Sequence, residues 1–356
     1  MDNLFNFFKD KRILITGAAG TVGKKLAGQI LNYEPKELRL LDNNETEMFF
    51  LMEHFRDNNR VICYLGSVRD KAKVDKVMAG IDIVFHCAAL KHVILSEYNP
   101  DDTVQTNVTG VQNIIQSAIS HDVKTVIFTS SDKAVNPTNV MGATKLVGEK
   151  LITAGNSVKY GKETILSSTR FGNVIGSRGS VVPIFMKQIK SGGPITLTDP
   201  EMTRFVMTIE EAATLVIRSA VLARGGEVFI TKMPVMKIVD LAEVMRNILA
   251  PKYGHKPSDI DIKMIGSKPG EKLYEELMTS EEMLRSIELE EMFVTTPAFK
   301  SLYEEINYDY PGIQQTSLDK PYISSNEKSM TQDEIKQYLI EHRIFENLEK
   351  EMWDEI

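Results

Sequence analysis

Short apolar runs recur along the first two-thirds of the chain, and stretches with helical spacing separate them. The runs are "RILIT" (Arg12–Thr16), "ELRLLD" (Glu37–Asp42), "RVICYLG" (Arg60–Gly66), "IDIVFHCAA" (Ile81–Ala89), "KTVIFTSS" (Lys124–Ser131) and "ETILSSTR" (Glu163–Arg170). Runs that are apolar on both faces and alternate with helices predict an α/β fold: a doubly wound parallel sheet of the Rossmann type, covered on both sides. Helices are expected over Pro100–His121 and Met141–Tyr160, among others. After Phe171 the pattern changes. Short strands ("PITLT", "GEVFIT", "DIDIKMI") mix with helices over Thr208–Leu222 and Lys237–Leu249, which predicts a smaller α/β region. Past Pro297 the text is polar and weakly patterned until a last helix, "TQDEIKQYLIEHRIFENLEKE", which opens after a Thr N-cap with acids in its first turn. The expected division is residues 1–172 for the sheet domain (with some later segments returning to it), 173–297 for a mainly substrate-binding region, and 298–356 for a tail with a terminal helix.

The glycines after the first strand add the first chemistry. "TGAAGTVG" places Gly17, Gly20 and Gly23 at the strand–helix junction, with Thr21 and Val22 opening the helix. Glycine there permits a tight turn, close approach to a pyrophosphate and close helix–strand packing, and the helix start presents unpaired N–H groups to the anion. Asp42 ends the second strand 19 positions after Gly23, followed by Asn43. A carboxylate at that place accepts hydrogen bonds from ribose hydroxyls and repels a 2′-phosphate, so NAD is favoured and NADP disfavoured.

Composition narrows the partners. The 356 residues are 42% hydrophobic and 26% charged, and the net charge is −7. That acidic balance argues against nucleic acid, which needs a basic surface. The N-terminus lacks a signal peptide's pattern and no apolar run approaches the roughly 18 residues of a bilayer span, so a cytoplasmic protein without a membrane span is expected. The opening "LFNFF" is expected to pack on its own domain. Cys63 and Cys87 sit in apolar runs and read as buried reduced thiols; no metal site is expected.

Six segments then carry a resemblance. "TGAAGTVG", "FHCAALKHV", "TNVTG", "TSSDKAVNP", "MGATK" and "RFGNVIGSRGSVVP" resemble the extended short-chain dehydrogenase/reductases, and among them the UDP-N-acetylglucosamine 4,6-dehydratases. The resemblance runs from about Lys11 to Pro297, with "KPGEKLYEEL" a further specific segment. It implies oxidation of a hexose at C4 by a held nicotinamide, loss of the C5 proton and the C6 hydroxyl as water, and hydride return to C6. It makes Asp132 the acid for O6 and Lys133 the base for C5. Lys145, one helical turn after Met141, would bind the nicotinamide ribose. Met141 stands where the family usually carries a catalytic Tyr. The O4 proton then goes either to a water near Ser131 and Lys145 or to Lys133 itself, and the rival reading is a binding protein without turnover.

The resemblance extends the cofactor contacts to Ser67 (where an Asp often meets adenine), Val68, Ala88, Ala89, Lys91 and Asn107. It assigns a UDP-linked amino sugar to Lys91, His92, Ser130, Ser131, Asn173, Ser180, Val181, Val182, Pro183, Thr196, Met202, Arg204, Lys268 and Glu271. His92 reads equally as a packed loop residue. Three matters stay open: uracil or guanine as the base, retention or inversion at C5, and a simple 4-epimerase, which would be expected to need the Tyr. A homo-oligomer built on the helices around 100–121 and 141–160 is implied.

Overall fold

Ile13, Leu14 and Ile15 are completely buried, although successive side chains of a strand point to opposite faces. Such a strand is stable only inside a sheet covered twice, and the computed structural model has that arrangement. It describes residues 2–157, 162–177, 179–266, 270–299 and 306–353. The strands in chain order are β1 (Arg12–Thr16), β2 (Glu37–Asp42), β3 (Val61–Leu65), β4 (Ile83–His86), β5 (Thr125–Ser131), β6 (Ile165–Phe171) and β7 (Asn173–Val174). They continue as β8 (Ile195–Leu197), β9 (Thr203–Met207), β10 (Val228–Thr231), β11 (Val235–Lys237), β12 (Ile262–Met264), β13 (Ser286–Glu288) and β14 (Met292–Thr295).

The chain forms two compact units. The first holds Met1–Phe171, Ala212–Lys232 and Leu277–Pro321. Its nine-stranded sheet has the order β13-β14-β10-β6-β5-β4-β1-β2-β3. Pairing is parallel from β3 through β10 and antiparallel at β14 and β13. The strand order reverses at β1, which lies between β2 and β4, and a ligand crevice is expected beyond the carboxyl ends of strands at such a point. The second unit holds Gly172–Glu211, Met233–Glu276 and Tyr322–Ile356. It contains a β11-β9-β7 sheet and a β12-β8 pair.

This division is not three successive segments. β10 re-enters the first sheet because its apolar run finds β6 as a parallel neighbour, and β13 and β14 follow it. The terminal stretch divides as well. Its polar beginning belongs to the first unit, while Tyr338, Leu339, Ile344, Phe345 and Leu348 complete the core of the second. The expected single last helix is two, Gln332–Glu341 and Ile344–Trp353, separated by Arg343 at φ 49°. Thr331 does cap the first of them, in a capping box with Glu334. The expected helix over Pro100–His121 is interrupted by one wide turn, Gln105–Thr109. Phe8 of the N-terminal helix is fully buried against Tyr33 and Phe85. Both cysteines are free and half-buried, Cys63 on the edge strand β3; the surroundings of Cys87 push its thiol pKa up to about 12.

At the end of β6, Arg170 is 1% exposed and fully engaged. It donates to Glu149 at 3.0 and 2.5 Å, to Glu282 at 3.0 and 3.1 Å, and to the Leu277 carbonyl at 2.8 Å. This triad ties the helix Val140–Gly155 to the sheet and to the segment leading into β13. Removing one member of a buried ion network leaves an uncompensated charge. Glu149→Ala is expected to destabilise the first unit by about 3–5 kcal/mol, read as a lowered urea midpoint.

Candidate active site

The glycine loop is shaped by contacts that no side chain could share. Gly17 has φ +69°, and a Cβ there would lie 2.6 Å from the Ala88 nitrogen; one on Gly23 would lie 2.2 Å from the Gly17 carbonyl oxygen. The helix Thr21–Leu31 therefore starts hard against the loop, with Gly20 at its N-cap and no side-chain hydrogen bond capping it. Asp42 is docked on this loop: Oδ2 accepts from the Ala19 N–H at 3.0 Å and Oδ1 from the Asn44 N–H at 3.0 Å. Asn43 is exposed beside it. Ser67 Oγ accepts from the Arg69 N–H at 3.2 Å, while Val68 is buried and its carbonyl is held by Asn113 at 2.9 Å. The bare helix start, the glycine cradle and the strand-end carboxylate fit a dinucleotide.

One buried group escaped the sequence reading. His86, the last residue of β4, is completely buried, with Nδ1 2.7 Å from Thr16 Oγ1. Burial, aided by the Lys145 cation, pushes its pKa down to about 3, so the ring is neutral. Its only signal in the sequence is a polar residue closing an apolar run.

The catalytic candidates meet at the carboxyl end of β5. Ser131 Oγ donates to Asp132 Oδ1 at 2.5 Å, and Lys133 Nζ lies 2.9 and 3.2 Å from the two Asp132 oxygens. The Asp132 side chain is 5% exposed, that of Lys133 33%. The helix Val140–Gly155, capped by Asn139 at 2.8 Å, abuts this turn so closely that a Cβ on Gly142 would lie 2.2 Å from the Lys133 carbonyl oxygen. Met141 is buried one residue before that contact. Lys145 is buried too; its Nζ donates to the Thr129 carbonyl at 2.8 Å and lies over the Phe128 ring at 4.5 Å. Burial lowers its pKa to about 8, against the opposing pull of Cys87 and Glu149. Ser130 Oγ is buried with no hydrogen-bond partner among the described residues.

Asn107, on the wide turn, fixes a second strand end. Its Oδ1 accepts from the Leu90 N–H at 2.9 Å, and its Nδ2 donates to the Leu90 carbonyl at 3.0 Å and to Thr144 Oγ1 at 3.1 Å. Thr144 donates in turn to the Met141 carbonyl at 2.8 Å. The segment after β4, with Ala88 and Ala89 half-buried and Lys91 and His92 exposed, is thereby tied to the helix that carries Lys145.

The second unit gathers a different set. Asn173 Nδ2 donates to both oxygens of Glu275, at 2.9 and 2.8 Å. Arg204 donates to the carbonyls of Thr203, Leu273 and Lys272, with its Nε 3.3 Å from Glu275 and an Nη 3.9 Å from Glu271. Ser180 precedes the helix Val181–Lys190; its Oγ is buried with no partner among the described residues, and Pro183 lies in the first turn. Thr196 is committed to Gln188 through both its N–H and its hydroxyl. Val182 and Met202 are core residues and Val181 packs on that core, so these side chains do not join the polar set. Lys268 lies outside the described residues.

The model of the family described as "Polysaccharide biosynthesis protein" matches residues 13–297. The chain belongs to this family. Among its relatives in the family, an uncharacterized membrane protein of Methanocaldococcus jannaschii is 48% identical, over 95% of this chain and 98% of that one. No helix among the described residues here is long and apolar enough to cross a membrane. A UDP-N-acetylglucosamine 4,6-dehydratase (inverting) of Campylobacter jejuni is 39% identical over 85% and 87% of the two chains. A UDP-glucose 4-epimerase of Rickettsia massiliae is 36% identical over 94% and 96%. Of the solved structures, Pen from Bacillus thuringiensis superposes with a TM-score of 0.88 at 43% identity, covering 95% of this chain and 99% of that one. A dTDP-glucose 4,6-dehydratase from Streptomyces venezuelae, solved with NAD bound, shares the fold at a TM-score of 0.64 and 22% identity, covering 74% and 86%. The chain is an enzyme of the nucleotide-sugar dehydratase and epimerase type.

The Lys145 value carries a stability consequence. Between pH about 8 and 10.5 the unfolded chain holds a proton at this position that the folded chain does not. Stability of the ligand-free protein is therefore expected to rise across that window and to fall as pH drops through 8. Denaturant midpoints measured over the window should show a shallower rise for Lys145→Met than for the parent chain.

Proposed function

We propose that this protein is an NAD-dependent 4,6-dehydratase that converts UDP-N-acetylglucosamine to a UDP-4-keto-6-deoxy-N-acetylhexosamine. The observation that carries the reading is the hydrogen-bonded Ser131–Asp132–Lys133 sequence at the end of β5, beside a helix with Met141 at the usual Tyr position. NAD as cofactor is supported by the glycine cradle and by Asp42, and it would also meet Lys145. When bound, the nicotinamide supplies a reversible hydride acceptor, first for C4 and then as donor to C6.

The proton movements belong to the chain. Lys133 must be neutral to take the C5 proton, and Asp132 must be protonated to release O6 as water. The two share one proton across 2.9 Å; its shift from Nζ to Oδ turns an ion pair into an acid and a base. Elimination restores the cation on Lys133, which returns its proton to C5 when C6 receives hydride. The pair is then one proton short, and O4 has one to give. The 2.5 Å contact from Ser131 to Asp132 offers that proton its path, through a water near Ser131 and Lys145. Met141 takes no part, because a thioether carries no proton.

A second reading, 4-epimerisation, is favoured by the Rickettsia relative. It uses hydride transfer at C4 and leaves the acid–base pair idle. The two readings separate by mass: dehydration removes one water from UDP-N-acetylglucosamine and epimerisation removes none. The Campylobacter relative's designation as inverting favours reprotonation of C5 on the opposite face, and proton NMR of the product reads that face.

The protein is also proposed to work as a homo-oligomer. Ile94, Leu95, Tyr98, Val104 and Val147 stand exposed on the helices Val93–Tyr98, Pro100–Val104 and Val140–Gly155, with Tyr98 81% exposed. Light scattering should report a multimer for the parent chain and a smaller species for Tyr98→Asp. Lys133→Ala is expected to lower kcat for dehydration by about 10²–10⁴-fold; full turnover in that variant would remove Lys133 from its role.

A further inference from the structure

Glu275 was singled out neither by spacing nor by resemblance, yet the polar groups of the second unit converge on it. Its side chain is 5% exposed. Both of its oxygens accept from Asn173 Nδ2, at 2.9 and 2.8 Å, and Oε1 lies 3.3 Å from Arg204 Nε. Its own N–H donates to Ser324 Oγ at 2.9 Å, and that oxygen is 2.9 Å from Thr203 Oγ1.

Two consequences follow from donor counting. A carboxylate only accepts, so Asn173 must turn its nitrogen toward Glu275, where the Phe205 carbonyl also accepts from it at 3.3 Å, and its carbonyl oxygen away. Arg204 has five N–H donors. Nη1 serves the Thr203 and Leu273 carbonyls, Nη2 serves Lys272, and Nε faces Glu275. The other N–H of Nη2 makes no hydrogen bond among the described residues and has the Glu271 carboxylate 3.9 Å away. Arg204 therefore cannot grip a diphosphate as a two-pronged fork; it can present a single Nη2 donor whose direction is set by the three hydrogen bonds to main-chain carbonyls and by the ion pair with Glu275.

We propose that Glu275 is a positioning residue for nucleotide-sugar binding. It fixes the acceptor of Asn173 and the remaining donor of Arg204 in one arrangement while balancing the guanidinium charge. The proposal rests on the reading of Asn173 and Arg204 as ligand contacts under the proposed function. Losing the negative charge while keeping the shape should uncouple both side chains, because hydrogen bonds to charged groups are the strong ones.

The test uses the full chain with Glu275→Gln and Glu275→Ala. Calorimetry gives Kd for UDP, GDP and dTDP, kinetics give KM and kcat for UDP-N-acetylglucosamine, and a melt accompanies each. Glu275→Gln is expected to raise Kd for the preferred nucleotide and KM by about tenfold or more, with kcat within about threefold. In an Asn173→Ala background the same substitution should cost clearly less, because one of the groups it orients is gone. A lowered melting temperature with Kd and KM unchanged would assign Glu275 to folding alone and overturn the proposal, as would fully additive effects. If the parent chain binds UDP but forms no dehydrated product, the proposed reaction fails while the Kd comparison still decides Glu275. A parent chain that binds none of the three nucleotides overturns both.

Discussion

Lys133 Nζ donates to Asp132 Oδ2 at 2.9 Å, on a turn closed by the Ser131 hydroxyl at 2.5 Å. Everything the protein is proposed to do depends on that pair being able to exist both as two ions and as a neutral acid and base. The Asp132 carboxylate is buried and the Lys133 amine is one-third exposed. The constraint is also steric. Gly142 leaves no space between the helix Val140–Gly155 and the Lys133 carbonyl, so the turn cannot relax away from its place at the end of β5.

The surrounding framework keeps that turn in register with the cofactor cradle. Asn107 bonds both main-chain groups of Leu90 and reaches Thr144, which holds the Met141 carbonyl. Glu149, further along the same helix, is locked to the fully buried Arg170. The helix is thus gripped at its cap, its first turn and its third, and Lys145 is carried between those grips to the Thr129 carbonyl. A Tyr at position 141 would bring its own proton site. With Met there, the proposed cycle needs another route by which the O4 proton returns to the Asp132–Lys133 pair.

Much of the fold was legible because buried parallel strands announce themselves. β1, β2, β4, β5 and β6 are apolar runs bounded by polar or turn-forming residues, and the glycine loop sits where a strand meets a helix. The return of β10, β13 and β14 to the first sheet was not legible in detail, since a short apolar run does not say which neighbour it will find. The break at Arg343 was hidden because no glycine marks the left-handed turn. Ser131, Asp132 and Lys133 were singled out by resemblance, and because they are adjacent in sequence their mutual hydrogen bonds are local. Glu275 was missed because its partners lie 102 residues away at Asn173 and on β9, and its burial is a property of the folded unit alone. Val182 and Met202 show the converse: they fall in motifs that resemblance marked for substrate, yet their side chains fill the core.

The most direct test follows one hydrogen. UDP-N-acetylglucosamine carrying deuterium at C4, incubated with the protein in ordinary water, should yield a 4-keto-6-deoxy product with that deuterium on C6. Deuterium remaining at C4 in a sugar that has lost no water, or vanishing into solvent, would contradict the account at its centre.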